Sequence, residues 1–188
     1  ETPVITARRP APSPALAARE LRRGRATPSA GLIGTGVINF ETARFLVRAL
    51  PDLARFVLYD LDRDRAQAFA ASLSEMLHGL REIEVLVADD PREIYRDHPV
   101  IVYATTAVKP HVADLSDCQP GATILHVSLR DLEPEVILAH DNVVDDVDHV
   151  LRARTSVHLA EQKVGHRDFI RCTLAALLAG TAALRAGA

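Results

Sequence analysis

The sequence predicts an α/β protein with a doubly wound parallel sheet of about six strands and helices on both faces. Short β-branched runs alternate with amphipathic helical stretches, and Pro, Gly or Asp bound each run. This alternation is typical of βαβ units, in which the crossover helix returns the chain to the same edge of the sheet. The 188 residues suit one core, since domains usually comprise about 100 to 150 residues.

The predicted elements follow one another in a regular order. Strands are expected at residues 32–33, 56–60, 83–87, 100–104, 123–127 and 143–147. Helices are expected at residues 15–21, 40–50, 63–77 and 167–185, the last as a closing helix.

Composition excludes several classes of function. A net charge of -3 leaves no basic excess to neutralise phosphate backbones, so we expect no nucleic-acid partner. No apolar segment approaches the roughly 18 residues of a membrane span, so we expect no membrane partner. Cys118 and Cys172 lie far apart, without metal-type spacing, which favours a reducing, cytoplasmic location.

The stretch AGLIGTGVINFETARFL, residues 30–46, reads as a buried strand, a glycine turn and a helix. Gly34 permits the tight turn, and Gly36 lets the backbone approach a pyrophosphate. The backbone amides at the start of the helix supply hydrogen-bond donors and the positive end of the helix dipole to the pyrophosphate. The other residues expected to bind the cofactor in this segment are Thr35, Val37 and Ile38. Asn39 stands where a third glycine is usual, which implies a wider helix crossing or an amide that faces the ligand.

Asp60 ends the second predicted strand, about twenty residues beyond the turn. A carboxylate there can accept hydrogen bonds from both hydroxyls of an adenosine ribose, and it would repel a 2′-phosphate. The pattern therefore favours NAD as cofactor, although Arg63 and Arg65 lie close enough to leave NADP open. The alternative role for Asp60 is a helix N-cap. These features predict a Rossmann-like NAD-binding domain over residues 28–157, between a linker and helix at 1–27 and a closing segment at 158–188.

Four further motifs carry a resemblance to a known family. They are ATTAVKPH at residues 104–111, QPGATILHVSLRDL at 119–132, NVVDDVDH at 142–149 and EQKVGHRDFI at 161–170. Together with GTGVINFETARFL they resemble the ornithine cyclodeaminase/μ-crystallin family. Within it they look most similar to the branch that makes L-2,3-diaminopropionate for siderophores and peptide antibiotics. The resemblance covers nearly the whole chain and implies a homodimer in the complete protein.

The resemblance implies an NAD-dependent oxidation of a small amino-acid-derived substrate. The secondary amine of N-(1-amino-1-carboxy-2-ethyl)glutamate is oxidised to an imine, and hydrolysis gives L-2,3-diaminopropionate, 2-oxoglutarate and NADH. Two alternatives stay open. One is an ornithine cyclodeaminase or imine reductase of the same fold, and the other is a non-catalytic NAD(P)-binding protein similar to μ-crystallin.

Asp131 matches the catalytic aspartate of the family. The reaction needs a group that takes a proton, activates water on the imine and protonates the leaving amine, and one carboxylate can do all three. Arg130 beside it is a candidate to orient Asp131 or to bind a substrate carboxylate. The alternative role for Asp131 is the N-cap of a helix that begins near Pro134.

Small side chains follow the fourth and fifth predicted strands. Thr105 and Thr106 would let the nicotinamide half of the cofactor lie close to the backbone, although threonines at such positions are also ordinary turn residues. Ser128 and Leu129 are expected to flank the nicotinamide in the same way.

Histidines and acidic residues in the second half raise the question of a metal site. The residues are His126, His149, His158 and His166, with Asp145, Asp146 and Asp148 nearby. No pair has a helical i, i+4 spacing with an evident third ligand, so we expect no metal.

The chain departs from the family at its beginning. The resemblance implies a preceding domain that supplies most substrate contacts and the dimer interface, and we expect that domain to be missing here. The segment ITARRPAPS, residues 5–13, resembles the family's crossing into the cofactor domain, and Arg9 would bind a substrate carboxylate. Pro10 and Pro12 stand where the family has Thr and Ala, which removes backbone donors. We therefore expect either part of a larger enzyme or a cofactor-binding module that acts with a partner.

Overall fold

The computed structural model describes residues 11–184. These residues form two compact units, and the chain passes between them more than once. The first unit contains the residues up to Thr105 together with Ser116–Val127. The second contains Thr106–Leu115 and the residues from Ser128 onward.

The first unit is built on a five-stranded parallel sheet with the order β3-β2-β1-β4-β5. Its strands are β1 (Ser29–Ile33), β2 (Arg55–Tyr59), β3 (Glu84–Val87), β4 (Val100–Tyr103) and β5 (Thr123–His126). Its helices are α1 (Pro12–Leu21), α2 (Val37–Ala49), α3 (Arg63–His78) and α4 (Pro91–Asp97). The predicted doubly wound α/β class is confirmed, and the central strand β1 is buried along its whole length.

The core of this unit follows the two-residue period of the strands. Ala30 and Leu32 of β1 pack in one cluster with Leu46 of α2 and Leu73 of α3. Gly31 alternates with the two residues of β1 and therefore faces the other side of the sheet, where its backbone lies against the side chain of Ile94 in α4. Helices therefore cover both faces, and the carboxyl ends of β1, β2 and β4 meet at one edge of the sheet.

Helix α4 has no counterpart among the predicted helices, although its start is marked in the sequence. Asp90 accepts the amide of Arg92, the side chain of Glu93 accepts the amide of Asp90, and Pro91 opens the first turn. This is a capping box, which satisfies backbone donors that the first helical turn leaves unpaired.

The second unit differs from the sequence prediction in two elements. Its elements are α5 (Pro134–Ala139), β6 (Asn142–Val144), α6 (Val147–Val150), α7 (Ser156–Val164), β7 (Ile170–Thr173) and α8 (Leu174–Leu178). The predicted sixth strand does not join the main sheet, because β6 pairs with β7 in a separate two-stranded parallel sheet. The predicted closing helix over 167–185 is wrong at its start, where Ile170–Thr173 is a strand and only a short helix follows.

The segments that open the second unit are tied together by backbone hydrogen bonds. The amides of His111 and Val112 both donate to the carbonyl of Asp131, each at 2.9 Å. The hydroxyl of Ser156, at the start of α7, donates to the carbonyl of Leu132 at 2.6 Å. Within residues 11–184, no helix is long and apolar enough to cross a membrane.

Candidate functional site

The turn after β1 requires glycine at Gly34. Its φ of +90° lies in the left-handed region, and its amide donates to the carbonyl of Tyr59 at 2.9 Å. A Cβ at this position would stand 2.6 Å from the carbonyl oxygen of Ala104. The backbone of β1 therefore passes so close to the end of β4 that no side chain fits.

Gly36 leaves the backbone open at the start of α2. Among the described residues beyond its chain neighbours, a Cβ built there would have one atom within 4 Å, a terminal nitrogen of Arg65 at 3.9 Å. The first bond of the helix runs from the amide of Phe40 to the carbonyl of Gly36, so the amides of Val37 and Ile38 have no acceptor within the helix. The side chains of Val37 and Ile38 are 48% and 37% exposed. The turn thus presents open backbone, amides that have no acceptor within the helix, and the positive end of a helix dipole.

Asn39 stabilises the turn from its buried side. Its side-chain amide donates to the carbonyl of Ile33 at 3.0 Å and to that of Gly34 at 2.6 Å. The residue is fully buried, so of the two expectations for this position, the amide that faces a ligand is wrong. Asn39 bonds the end of β1 and the turn to the first turn of α2 instead.

Asp60 is bonded to Thr35 of the glycine turn. The Oδ2 atom of Asp60 accepts the amide of Thr35 at 2.8 Å and its hydroxyl at 2.6 Å, while Oδ1 accepts the amide of Asp62 at 3.1 Å. Partial burial raises the pKa of Asp60, but these hydrogen bonds and the nearby Arg65 outweigh it, and the net pKa is lowered. The carboxylate at the end of β2 is therefore held ionised beside the turn.

The neighbouring residues of α3 have separate roles. The N-cap of this helix is Asp62, which accepts the amide of Arg65 at 3.0 Å. The alternative role of Asp60 as an N-cap is therefore wrong. Arg63 is paired with Asp89, whereas the guanidinium of Arg65 extends toward Gly36. Arg65 is thus the arginine that lies near both the turn and Asp60.

The two predicted threonines after β4 fall in different units. Thr105 belongs to the first unit, and its methyl group lies 3.3 Å from the place of a Cβ on Gly34. Thr106 belongs to the second unit and is exposed. Of this pair, only Thr105 is brought against the glycine turn within one unit.

Asp131 lies in the second unit and is fully buried. Its Oδ2 atom accepts the hydroxyl of Ser128, and its backbone carbonyl accepts the two amides described above. The N-cap of α5 is Glu133, so the alternative role of Asp131 as the cap of that helix is wrong. The Ser128 hydroxyl instead orients the buried carboxyl group.

The residues between Ser128 and Asp131 point in different directions. Leu129 is half exposed, and Arg130 donates to the carbonyl of Ala153 at 2.9 Å. Ala153 adopts a φ of +54°, a left-handed conformation that is strained for alanine. The Arg130 side chain thus stabilises the loop that contains Ala153. The other predicted substrate-binding arginine, Arg9, lies outside the described residues.

Two of the candidate metal residues make other contacts. Asp146 caps α6 by accepting the amide of His149 at 2.8 Å, and Asp148 is paired with Arg167. Across the part of the chain that the structure describes, no group of three His, Cys, Asp or Glu side chains could hold a metal ion.

Sequence reasoning assigned two of these residues differently. Thr35 was chosen for its amide, yet both its amide and its hydroxyl bind Asp60. For Asn39 the sequence predicts a wider helix crossing or an amide that faces the ligand, whereas its amide donates to two turn carbonyls. The residue type itself indicates this role, because the side-chain amide of an asparagine at a buried helix position can donate to turn carbonyls.

The fold and the turn define a Rossmann-like α/β domain with the features of a dinucleotide site. The chain belongs to the ornithine cyclodeaminase/mu-crystallin family, whose model matches residues 1–164. A comparison with curated proteins gives no match.

Several solved structures are similar to this chain. Δ1-Pyrroline-2-carboxylate reductase of Thermococcus litoralis, in complex with NADH and L-proline, is 25% identical with a TM-score of 0.84 and covers 95% of this chain and 55% of its own. A probable ornithine cyclodeaminase of Bordetella pertussis Tohama I is 22% identical with a TM-score of 0.75, covering 97% and 57%. An archaeal alanine dehydrogenase dimer with bound NAD is 22% identical with a TM-score of 0.75, covering 95% and 54%. The chain thus spans about half the length of these relatives.

Proposed function

We propose that this chain is the cofactor-binding part of an NAD-dependent oxidoreductase that acts on the C–N bond of an amino-acid-derived substrate. The observation that carries this proposal is the carboxylate of Asp60, which accepts two hydrogen bonds from Thr35 beside the open backbone of Gly36. Family membership and the NAD or NADH in similar structures support the choice of cofactor.

The residues of the turn fit a dinucleotide. The open backbone at Gly36 and the unpaired amides of Val37 and Ile38 would receive the pyrophosphate, because a helix N-terminus favours anions. Asp60 would accept a hydrogen bond from a hydroxyl of the adenosine ribose, and Arg65 would lie near the phosphates. Thr105, packed against Gly34, would leave the backbone accessible to the nicotinamide half. When bound, NAD supplies the acceptor for a hydride.

For the reaction itself, we propose the oxidative cleavage of N-(1-amino-1-carboxy-2-ethyl)glutamate. The substrate loses a hydride from the glutamate α-carbon and a proton from the secondary amine, which leaves an imine. Water adds to the imine carbon, and the C–N bond breaks to give L-2,3-diaminopropionate and 2-oxoglutarate. In total, one NAD⁺ and one water are consumed, and one NADH and one proton are formed. This would place the product in siderophore or peptide-antibiotic precursor synthesis.

Asp131 is proposed as the acid and base of this reaction. It would take the amine proton, then activate water, and then return a proton to the leaving amine. The hydroxyl of Ser128 would fix the direction of its carboxyl group. The substrate carboxylates would be bound by arginines, for which Arg9 and Arg130 are the candidates. We propose a homodimeric, cytoplasmic protein, and the dimeric alanine dehydrogenase supports this assembly.

The second candidate function is an imine reductase. It is favoured by the similarity to Δ1-pyrroline-2-carboxylate reductase, at 25% identity and a TM-score of 0.84. The two functions differ in the direction of hydride transfer, since a reductase consumes NADH. A cyclodeaminase would give product without a net change in NADH.

The first experiment is a calorimetric titration of the chain with NAD and NADP, with Asp60→Ala as control. We expect NAD to bind more tightly than NADP, and Asp60→Ala to weaken NAD binding. Absence of binding to both cofactors in the folded chain would refute the proposed site.

The second experiment follows NADH with the proposed substrate in the complete protein. We expect one NADH and one 2-oxoglutarate per substrate consumed. Asp131→Asn should keep NAD binding and lose turnover, because an amide cannot take the amine proton. Full activity in that variant would rule out the role of Asp131. Cofactor binding without turnover of any imine or amine substrate would favour a non-catalytic binding protein.

A further inference from the structure

We propose that Thr35 is a positioning residue. It holds the Asp60 carboxylate so that one of its oxygens can accept a hydrogen bond from the adenosine ribose, and the bond between Thr35 and Asp60 thereby sets the preference for NAD over NADP. The inference rests on the proposed function. It extends that function by assigning cofactor selection to a side chain that does not itself need to touch the nucleotide.

The hydrogen bonds that Asp60 already accepts limit how many more its carboxylate can accept. A carboxylate offers about four lone-pair sites, two on each oxygen. The amide and hydroxyl of Thr35 fill both sites on Oδ2, and the amide of Asp62 fills one on Oδ1. As far as residues 11–184 are concerned, one site on Oδ1 therefore remains. Asp60 can accept one ribose hydroxyl without losing a bond, rather than the two that the sequence alone suggests.

The contact with Thr35 lies in a protected environment. Thr35 is only 6% exposed, so water competes little for its hydroxyl. Its amide and its side chain approach the same oxygen, which restrains rotation of the carboxylate. The register of the sheet places Ile33 opposite Tyr59, so the residues that follow these two strand ends lie side by side. The bond is thus a fixed part of the strand edge.

The charges around Asp60 explain why its orientation matters. Arg65 of α3 is the cation that acts on it, while Arg63 is paired with Asp89 and the side chain of Asp62 caps α3. The turn formed by residues 34–39 contains no titratable side chain. A 2′-phosphate would meet Asp60 unless the carboxylate turned toward Arg65. Thr35 opposes that rotation, and NADP is therefore disfavoured.

The test compares Thr35→Val with Thr35→Ser in the full chain. Valine keeps the branched shape and the amide but lacks the hydroxyl, whereas serine keeps the hydroxyl. Titrations with NAD and NADP should show about tenfold weaker NAD binding for Thr35→Val, in the range for a lost hydrogen bond to a charged group. The ratio of NAD to NADP affinity should fall in that variant. Thr35→Ser should stay within about twofold of the wild type, since its donor is retained.

The pH profile gives a readout that a merely structural role would not move. The lowered pKa of Asp60 means that wild-type NAD affinity stays constant as the pH falls toward the ordinary range of a carboxyl group. Without the hydroxyl, the pKa of Asp60 rises toward its usual value. NAD affinity in Thr35→Val should therefore begin to fall at a higher pH than in the wild type.

A double variant tests whether Thr35 acts through Asp60. In the Asp60→Ala background, Thr35→Val should cause no further loss of NAD affinity. Thermal unfolding of each variant checks that it is folded, and Thr35→Ala is the second hydroxyl-free variant if Thr35→Val does not fold.

The outcomes separate this inference from the proposed function. If the wild type binds neither cofactor, the proposed function fails and this inference fails with it. If the wild type binds NAD and the hydroxyl-free variant keeps the same cofactor ratio and pH profile, only the role of Thr35 is overturned. Equal losses in Thr35→Ser and Thr35→Val would also overturn it, because shape rather than the hydroxyl would then matter.

Discussion

Asn39 stands where a third glycine is usual and makes hydrogen bonds to the turn after β1. Its amide group donates to two carbonyls, and the residue is fully buried. Asn39→Gly would restore the usual glycine but remove both bonds. We expect it to lower the free energy of unfolding by about 1 to 3 kcal/mol, because the carbonyl of Gly34 would lose the Asn39 donor and that of Ile33 would keep only the amide of Ala104.

Chemical denaturation measures this change, and Arg48→Gly is the matched control. Arg48 is exposed in the same helix, so its variant introduces a glycine into α2 without the loss of a buried bond. A loss in Asn39→Gly no greater than that in Arg48→Gly would show that the bonds of Asn39 contribute nothing.

His98 makes the stability of the first unit depend on pH. It is buried at the end of α4, and its Nδ1 lies 2.7 Å from the hydroxyl of Ser29. Burial lowers the pKa of His98, and Arg55 adds to this while Asp97 opposes it. The unfolded chain therefore binds a proton at a higher pH than the folded chain. Stability is full above the ordinary histidine pKa and is lost as the pH falls through the folded value.

Denaturation midpoints between neutral pH and about pH 5 should show this loss, since an unperturbed histidine titrates near 6.5. His98→Gln should reduce the slope in that window, and the exposed His111 provides the control substitution His111→Gln. An unchanged slope in His98→Gln would assign the pH dependence to other groups.

At the scale of elements, β1 and α4 interlock at Gly31. A Cβ at Gly31 would collide with the side chain of Ile94. We expect Gly31→Ala to lower the free energy of unfolding by about 1 to 3 kcal/mol, as overpacked cores do. Adding Ile94→Ala to Gly31→Ala should recover part of that loss relative to the two single variants. Additive losses in a double-mutant cycle would contradict the interlock.

The elements that the sequence predicts well are those whose signal is local. Strands β1 to β5 lie within a few residues of their predicted positions because each is a short apolar run with clear boundaries. Strand β7 was missed because Ile170 and the leucines after it also fit a helical period. Its partner β6 is distant in sequence, and this pairing decides the structure.

The candidate site divides in the same way. Gly34, Gly36 and Asp60 follow from the pattern of strand, turn, helix and strand, because that order is local. The bond from Thr35 to Asp60 depends on the register between β1 and β2, which no run of residues encodes. The contact of Ser128 with Asp131 depends on loop geometry and was likewise not predicted.

At the scale of the whole molecule, the predicted cofactor residues fall into two groups. Gly34, Asp60, Arg65 and Thr105 belong to the first unit, while Thr106, Ser128 and Leu129 belong to the second. If the turn binds NAD as proposed, the ligand should stabilise the first unit by mass action. At a hundredfold excess over the Kd this amounts to about 2.7 kcal/mol.

Hydrogen exchange with and without NAD tests this expectation unit by unit. Peptides that cover residues 29–40 and 55–65 should gain protection, because they carry the turn and Asp60. Asp60→Ala should remove the gain, whereas Asp131→Asn should keep it, since that variant leaves the glycine turn and Asp60 unchanged. Protection that survives in Asp60→Ala would mean that NAD is held elsewhere, and loss of protection in Asp131→Asn would mean that Asp131 itself takes part in binding the cofactor.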